Sequence, residues 1–181
     1  MSRVQDNIRH DDEYEDKDFG RVLDTRRGSE WQITALTCLM LKHAGVDASM
    51  LLIHGADDGH FDKEFVVHAE PDEAAILARV DGQAHLARPD DKWLPVGLLP
   101  HRLQGRPALE ITRDGLKGFY TTPSADDPGQ RRVVDAIEAR VDEEGLVHVR
   151  RRVTRHGLRA YARRDDWAEL KPDELDKKLR D

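Results

Sequence analysis

The chain has 181 residues, 38% hydrophobic and 36% charged, with one cysteine and a net charge of -7. That is enough apolar material for one core, in one domain or one domain with an appendage. The acidic balance gives no electrostatic reason to bind nucleic acid or an anionic membrane, one cysteine excludes an intrachain disulfide, and no stretch approaches the length of a membrane span.

Charge is spread unevenly. Residues 129–181 carry 14 Lys and Arg against 12 Asp and Glu, so the first 128 residues hold a net -9. The opening MSRVQDNIRHDDEYEDKDFG is too polar and acidic for a signal peptide. The chain as written is therefore expected in the cytoplasm, or in the periplasm or outside the cell if excised from a longer precursor.

VQDNIRH reads as the end of a helix, with Val4 and Ile8 on one face at i, i+4 spacing. DDEYEDKD reads as a solvated loop, and FGRVLDTRRG leads onward with Val22 and Leu23 as anchors. Ser29 is a fair N-cap, and Glu30 supplies the acidic first turn that a helix dipole favours. From Trp31 to His43 apolar residues fall on nearly all sides, which predicts a central, buried helix. Gly45 is placed to end it.

VDASMLLIHG reads as a strand and ADDGHFDKE as a loop, with FVVHAE a short strand or part of that loop. AAILARV and QAHLAR flank Asp81-Gly82, a strong hairpin signal. PDDKWLPVGLLPHRLQGRP is irregular, and ALEITRDG reads as a strand and a turn. RRVVDAIEARV and LVHVRRRVTR flank DEEG as a second hairpin. The segment YARRDDWAELKPDELDKKLRD is helical in composition, with Pro172 tolerable only in a first turn. This order predicts an α+β fold: a helix on an antiparallel sheet over residues 1–122, then a β-hairpin and helix appendage over 123–181.

Several stretches, in this order, resemble the transglutaminase-like branch of the papain-related superfamily, in bacterial forms where a β domain precedes the core. VQDNIRH is similar to V-x-D-N-I-R-Y. RRGSEWQITALTCLMLKHAGVDA follows R-x-G-D-C-K-D-K-A-x-L-L-x-x-L-L-R-x-A-G-I-x-A without a gap. AAILARVDGQAHLARP resembles the strand pair that bears the family's histidine and aspartate, VGLLPHRLQGRPALEI its G-x-L-P…Q-G-x-x-A-L-x-I segment, and the hairpin with HGLRAYARR the start of a following β domain.

The family's chemistry uses a thiolate at a helix N-terminus, an imidazole that shuttles the proton, and a carboxylate that orients the imidazole. The resemblance places these three at Glu30, about Ala74 and about Ala87. None can take its role, and losing one triad member already costs several orders of magnitude in rate. What remains is a cleft, with Glu30, Trp31, Glu73 and His85 as candidate lining.

Other residues carry sharper and blander readings. Cys38 lies over two turns from the helix start, beyond the dipole's help, and reads as an inert core thiol. His54, His60 and His68, with Asp57, Asp58, Asp62 and Glu64, lack helical ligand spacing and read as a solvated loop rather than a metal site. His85 reads as a half-exposed strand histidine. Glu30 and Glu73, if close, would raise one of the two pKa values and suggest acid/base work, but Glu30 is well explained as an N-terminal helix residue. Arg150, Arg151, Arg152, Arg155, Arg159, Arg163 and Arg164 read as a solvated face or a partner-domain contact more readily than a phosphate site. Neither metal nor cofactor is expected.

Three functions follow from this: a catalytically inactive module that binds or scaffolds a polypeptide, a structural piece of a larger multidomain protein contacting neighbouring domains, or a hydrolase with altered chemistry at Glu30.

Overall fold

The computed structural model describes residues 8–11, 19–55, 73–124, 131–168 and 170–180. The chain forms two compact units, Met1–Ala125 and Asp126–Asp181.

The first unit is a five-stranded antiparallel sheet with a helix on it. In chain order it contains β1 (Arg9–His10), α1 (Phe19–Thr25), β2 (Arg27–Gly28), α2 (Glu30–His43), β3 (Asp47–Ile53), β4 (Glu73–Val80), β5 (Gln83–Ala87), a 3-10 turn at His101–Leu103, β6 (Pro107–Thr112) and β7 (Gly115–Thr121). The sheet order is β5-β4-β3-β6-β7, which makes β3 the central strand, and β1 pairs with β2 in parallel. Hairpin β4–β5 turns on Asp81 and Gly82, at φ 51° and 75°. Two successive positive φ values are the mark of a type I′ turn, and this pair of residues tolerates it.

Capping defines where α2 begins. The Ser29 hydroxyl accepts from the Gln32 N–H, and the Gln32 side chain accepts from the Ser29 N–H at 2.9 Å. This capping box satisfies two backbone donors at once. Gly45, at φ 84°, follows the last turn as expected.

Alternation along the strands sorts the core into layers. Ala48, Ile76 and Ala87 pack with Cys38 and Leu41 on the α2 side of the sheet. Leu51, Ile53, Ala75, Leu77 and Leu86 form the other layer, closed by Leu99 and Leu103 from the irregular segment. Within that sheet Glu110 accepts from Ser49 at 2.7 Å and takes both arms of Arg79 at 2.7 and 2.9 Å, with Lys117 at 3.0 Å. Four strands thus share one carboxylate.

The second unit holds the hairpin β8 (Val133–Val141) and β9 (Val147–Arg155), then α3 (Leu158–Ala168) and α4 (Pro172–Arg180). No described residue of this unit is buried.

Several local expectations change. The apolar burial expected along α2 stops short: Leu39 and Met40 are about half exposed. Ile8 and Val22 cover Ile33 and Leu36 and reach no further along the helix. FGRVLDT is itself a short helix, with Val22 fully buried but Leu23 exposed, so only one of the two anchors holds. At residues 8–10 the chain is a bend and a strand rather than a helix end, since Arg9 and His10 pair with Arg27 and Gly28. A further strand, β7, follows ALEITRDG. The C-terminal helical segment is two helices, divided before Pro172, which takes the first position of the second one. The FVVHAE segment and Val4 lie outside the described residues.

Candidate functional site

Glu30 is the first residue of α2, and the helix aims it at the start of β4. Its Oε1 accepts the Ala74 N–H at 2.6 Å, and its Oε2 lies 3.0 Å from the Arg88 guanidinium. Arg88, just past the end of β5, reaches three carboxylates. Its Nη1 is 2.6 Å from Glu73 Oε2, a charge contact lying off the hydrogen-bonding direction, and its Nη2 is 2.8 Å from Asp90. Arg102, from the 3-10 turn, donates to Glu73 through Nε at 2.6 Å and through Nη2. Only Arg102 opens substantially to solvent: the side chains of Arg88, Glu73 and Asp90 are 6%, 9% and 5% exposed, and Glu30 17%.

The electrostatics follow from this count of charges. Three carboxylates meet two guanidiniums, leaving one negative charge in excess in a poorly solvated place. Burial pushes the Glu30 carboxyl up to about 7; Arg88 and the Ala74 N–H oppose the rise, while Asp90 and Glu73 add to it. Burial works against the Arg88 charge too, but Asp90, Glu30 and Glu73 outweigh it and hold its pKa above the usual guanidinium value. A proton on Glu30 balances the cluster.

The three positions that the resemblance marks as reactive are therefore close in space, since Ala74 binds Glu30 directly and Ala87 is next to Arg88. Glu73 and Glu30 meet through Arg88, which contacts both carboxylates. Trp31 is half-buried. His85 stands exposed on β5 opposite Ala78, and none of the cluster's contacts involves it. Sequence reasoning missed Arg88, Asp90 and Arg102. The pair Arg88 and Asp90 was visible as a charged i, i+2 couple at a strand end, whereas Arg102 arrives only through the fold.

Among the described residues no group of three or more His, Cys, Asp and Glu is placed to hold a metal ion. Arg88 contacts all three carboxylates, Glu30, Glu73 and Asp90. His54 is buried at the end of β3, and His60, His68 and the acidic residues between them lie outside the described residues.

Cys38 is buried in the third turn of α2, and burial pushes its thiol pKa up, partly offset by Lys42. It borders an apolar cavity of about 210 Å³ between α2 and strands β3 and β6, lined also by Ala35, Leu39, Met50 and Ile111, with Lys42, Thr112 and Arg113 completing the lining. No imidazole is among these residues. No helix among the described residues is long and apolar enough to cross a membrane. No protein-family model, curated protein or solved structure matches the chain.

Proposed function

We propose that the chain is a catalytically silent, transglutaminase-like module that binds an acidic amphipathic polypeptide in the groove beside α2. The observation that carries this reading is the pairing of every charged group around Glu30. With Oε1 bonded to the Ala74 N–H and Oε2 held by Arg88, both oxygens of Glu30 are already engaged, which leaves it poorly placed to act as a nucleophile or a base. This weighs against a hydrolase built on Glu30. The groove offers what the cluster lacks: apolar walls, with the half-exposed Leu39 on its lining and Lys42 and Arg113 adding cationic groups. Apolar anchors with flanking acidic residues match that lining in shape and charge.

The test is calorimetric titration with a synthetic acidic amphipathic helix peptide. The expected result is saturable binding of one peptide per chain, weakened about tenfold or more by Leu39→Asp and unchanged by Glu30→Gln. Absence of saturable binding, or acyl-transfer or peptide-hydrolysis turnover that Glu30→Gln abolishes, would overturn the reading.

A second reading, a structural piece that meets neighbouring domains, is favoured by one observation: the second unit contains no buried described residue.

A further inference from the structure

The register of β8 and β9 places two unlike faces on one hairpin. Val133, Asp135, Ile137, Ala139 and Val141 share a face with Val147, Val149, Arg151, Val153 and Arg155, because these residues are cross-strand partners and alternate along each strand. The other face carries Arg140, Arg150 and Arg152 against Glu138. On the first face Ile137, Val141, Val147 and Val149 are each 62–63% exposed, and Leu146 in the turn is 60% exposed. The Asp135–Arg151 ion pair, at 2.6 Å, lies at one end of this apolar patch, and Arg155 beyond it leaves the face with one net positive charge.

A two-stranded hairpin is marginal alone, and a third strand or a packed layer is normally required for independent stability. Here the strands run nine residues each and no residue of them is buried. We propose that this apolar face is the contact between two copies of the chain, packed hairpin on hairpin. Three features select a second copy. The patch is apolar and nearly charge-neutral, so it tolerates its own image, while the arginine face would repel its own. The five aliphatic side chains offer roughly 300–400 Å² on each copy, as large as the biggest patch on an ordinary monomer. With the flanking residues, two such faces bury about 1,000 Å², the lower limit for specific association. The inference is independent of the groove beside α2.

Sedimentation velocity on the full chain, from about 1 to about 200 µM, tests it. The mass is expected to rise with concentration from 20.7 kDa toward twice that value. Val149→Lys and, separately, Ile137→Lys should weaken the association about tenfold or more, and Arg152→Glu on the opposite face should leave the dimer intact. Val149→Thr keeps the β-branched shape and should also weaken the dimer, which covers the case in which a lysine variant fails to fold. A monomer across the whole range would overturn the proposal. A dimer that survives both lysine variants would overturn it by placing the contact elsewhere, and loss of the dimer in Leu39→Asp alone would point to the groove.

Discussion

At the scale of single residues, Glu30 makes the sharpest prediction. Its carboxyl titrates near 7 in the folded chain against an ordinary 4.5. Below 4.5 the proton is bound in both folded and unfolded states, and the group contributes no pH dependence. Between 4.5 and 7 the folded chain keeps a proton that the unfolded chain releases, so stability falls as pH rises through that window. The shift corresponds to roughly 3 kcal/mol when complete. Glu30→Gln should therefore flatten the stability profile between these values, as read by urea unfolding at several pH values. An unchanged slope would refute the assignment. Glu110 has the opposite sign: hydrogen bonds from Arg79, then Ser49 and Lys117, hold its pKa down to about 2 against the effect of burial. Its contribution is lost as pH falls from 4.5 toward 2. Glu30 itself was legible from sequence as a first-turn carboxylate, and Glu73 as its neighbour. The partners were not, because Arg88, Asp90 and Arg102 come from a strand end and a 3-10 turn that are brought together only by the sheet and the irregular segment crossing it.

At the scale of elements, the start of α2 positions Glu30, and the capping box fixes that start. Ser29→Ala removes the hydroxyl that accepts the Gln32 N–H and should cost about 1 kcal/mol of stability in denaturant unfolding, with Glu30's pH response retained. A loss within experimental error would mean that packing alone sets the helix start. The elements differ in how plainly their sequences announce them. β3, β4 and β5 combine apolar alternation with Asp81-Gly82, and β8 and β9 read the same way around DEEG. β7 did not stand out: GLKGFYT has two glycines and a lysine, and its place is secured by pairing with β6 across a register shift at Glu110 and Ile111. α1 is only seven residues long, and one residue, Val22, carries its burial. The outer side of α2 reads as core by composition, yet Leu39 and Met40 stay exposed because the cover from Ile8 and Val22 ends at Leu36.

At the scale of the whole molecule, the two units divide the labour of folding unequally. The first has a layered core on both sheet faces, held by Glu110 across four strands and by the Glu30–Arg88 cluster where α2 meets the sheet. The second has amphipathic strands and helices in which no described residue is buried. Among the described residues, exposed apolar side chains include Leu39 on the groove beside α2 and Ile137, Val141, Val147 and Val149 on one face of the β8–β9 hairpin. The central claim is that the charged cluster around Glu30 locks the fold and takes no part in function. Arg88→Met tests it most directly, with unfolding free energy and peptide affinity measured on the same preparation. Removing one member of a buried ionic cluster while its partners stay should cost about 3–5 kcal/mol, and the fraction that remains folded should bind the acidic peptide with unchanged affinity. A variant as stable as the parent that has lost binding, or lost a measurable turnover, would contradict the account.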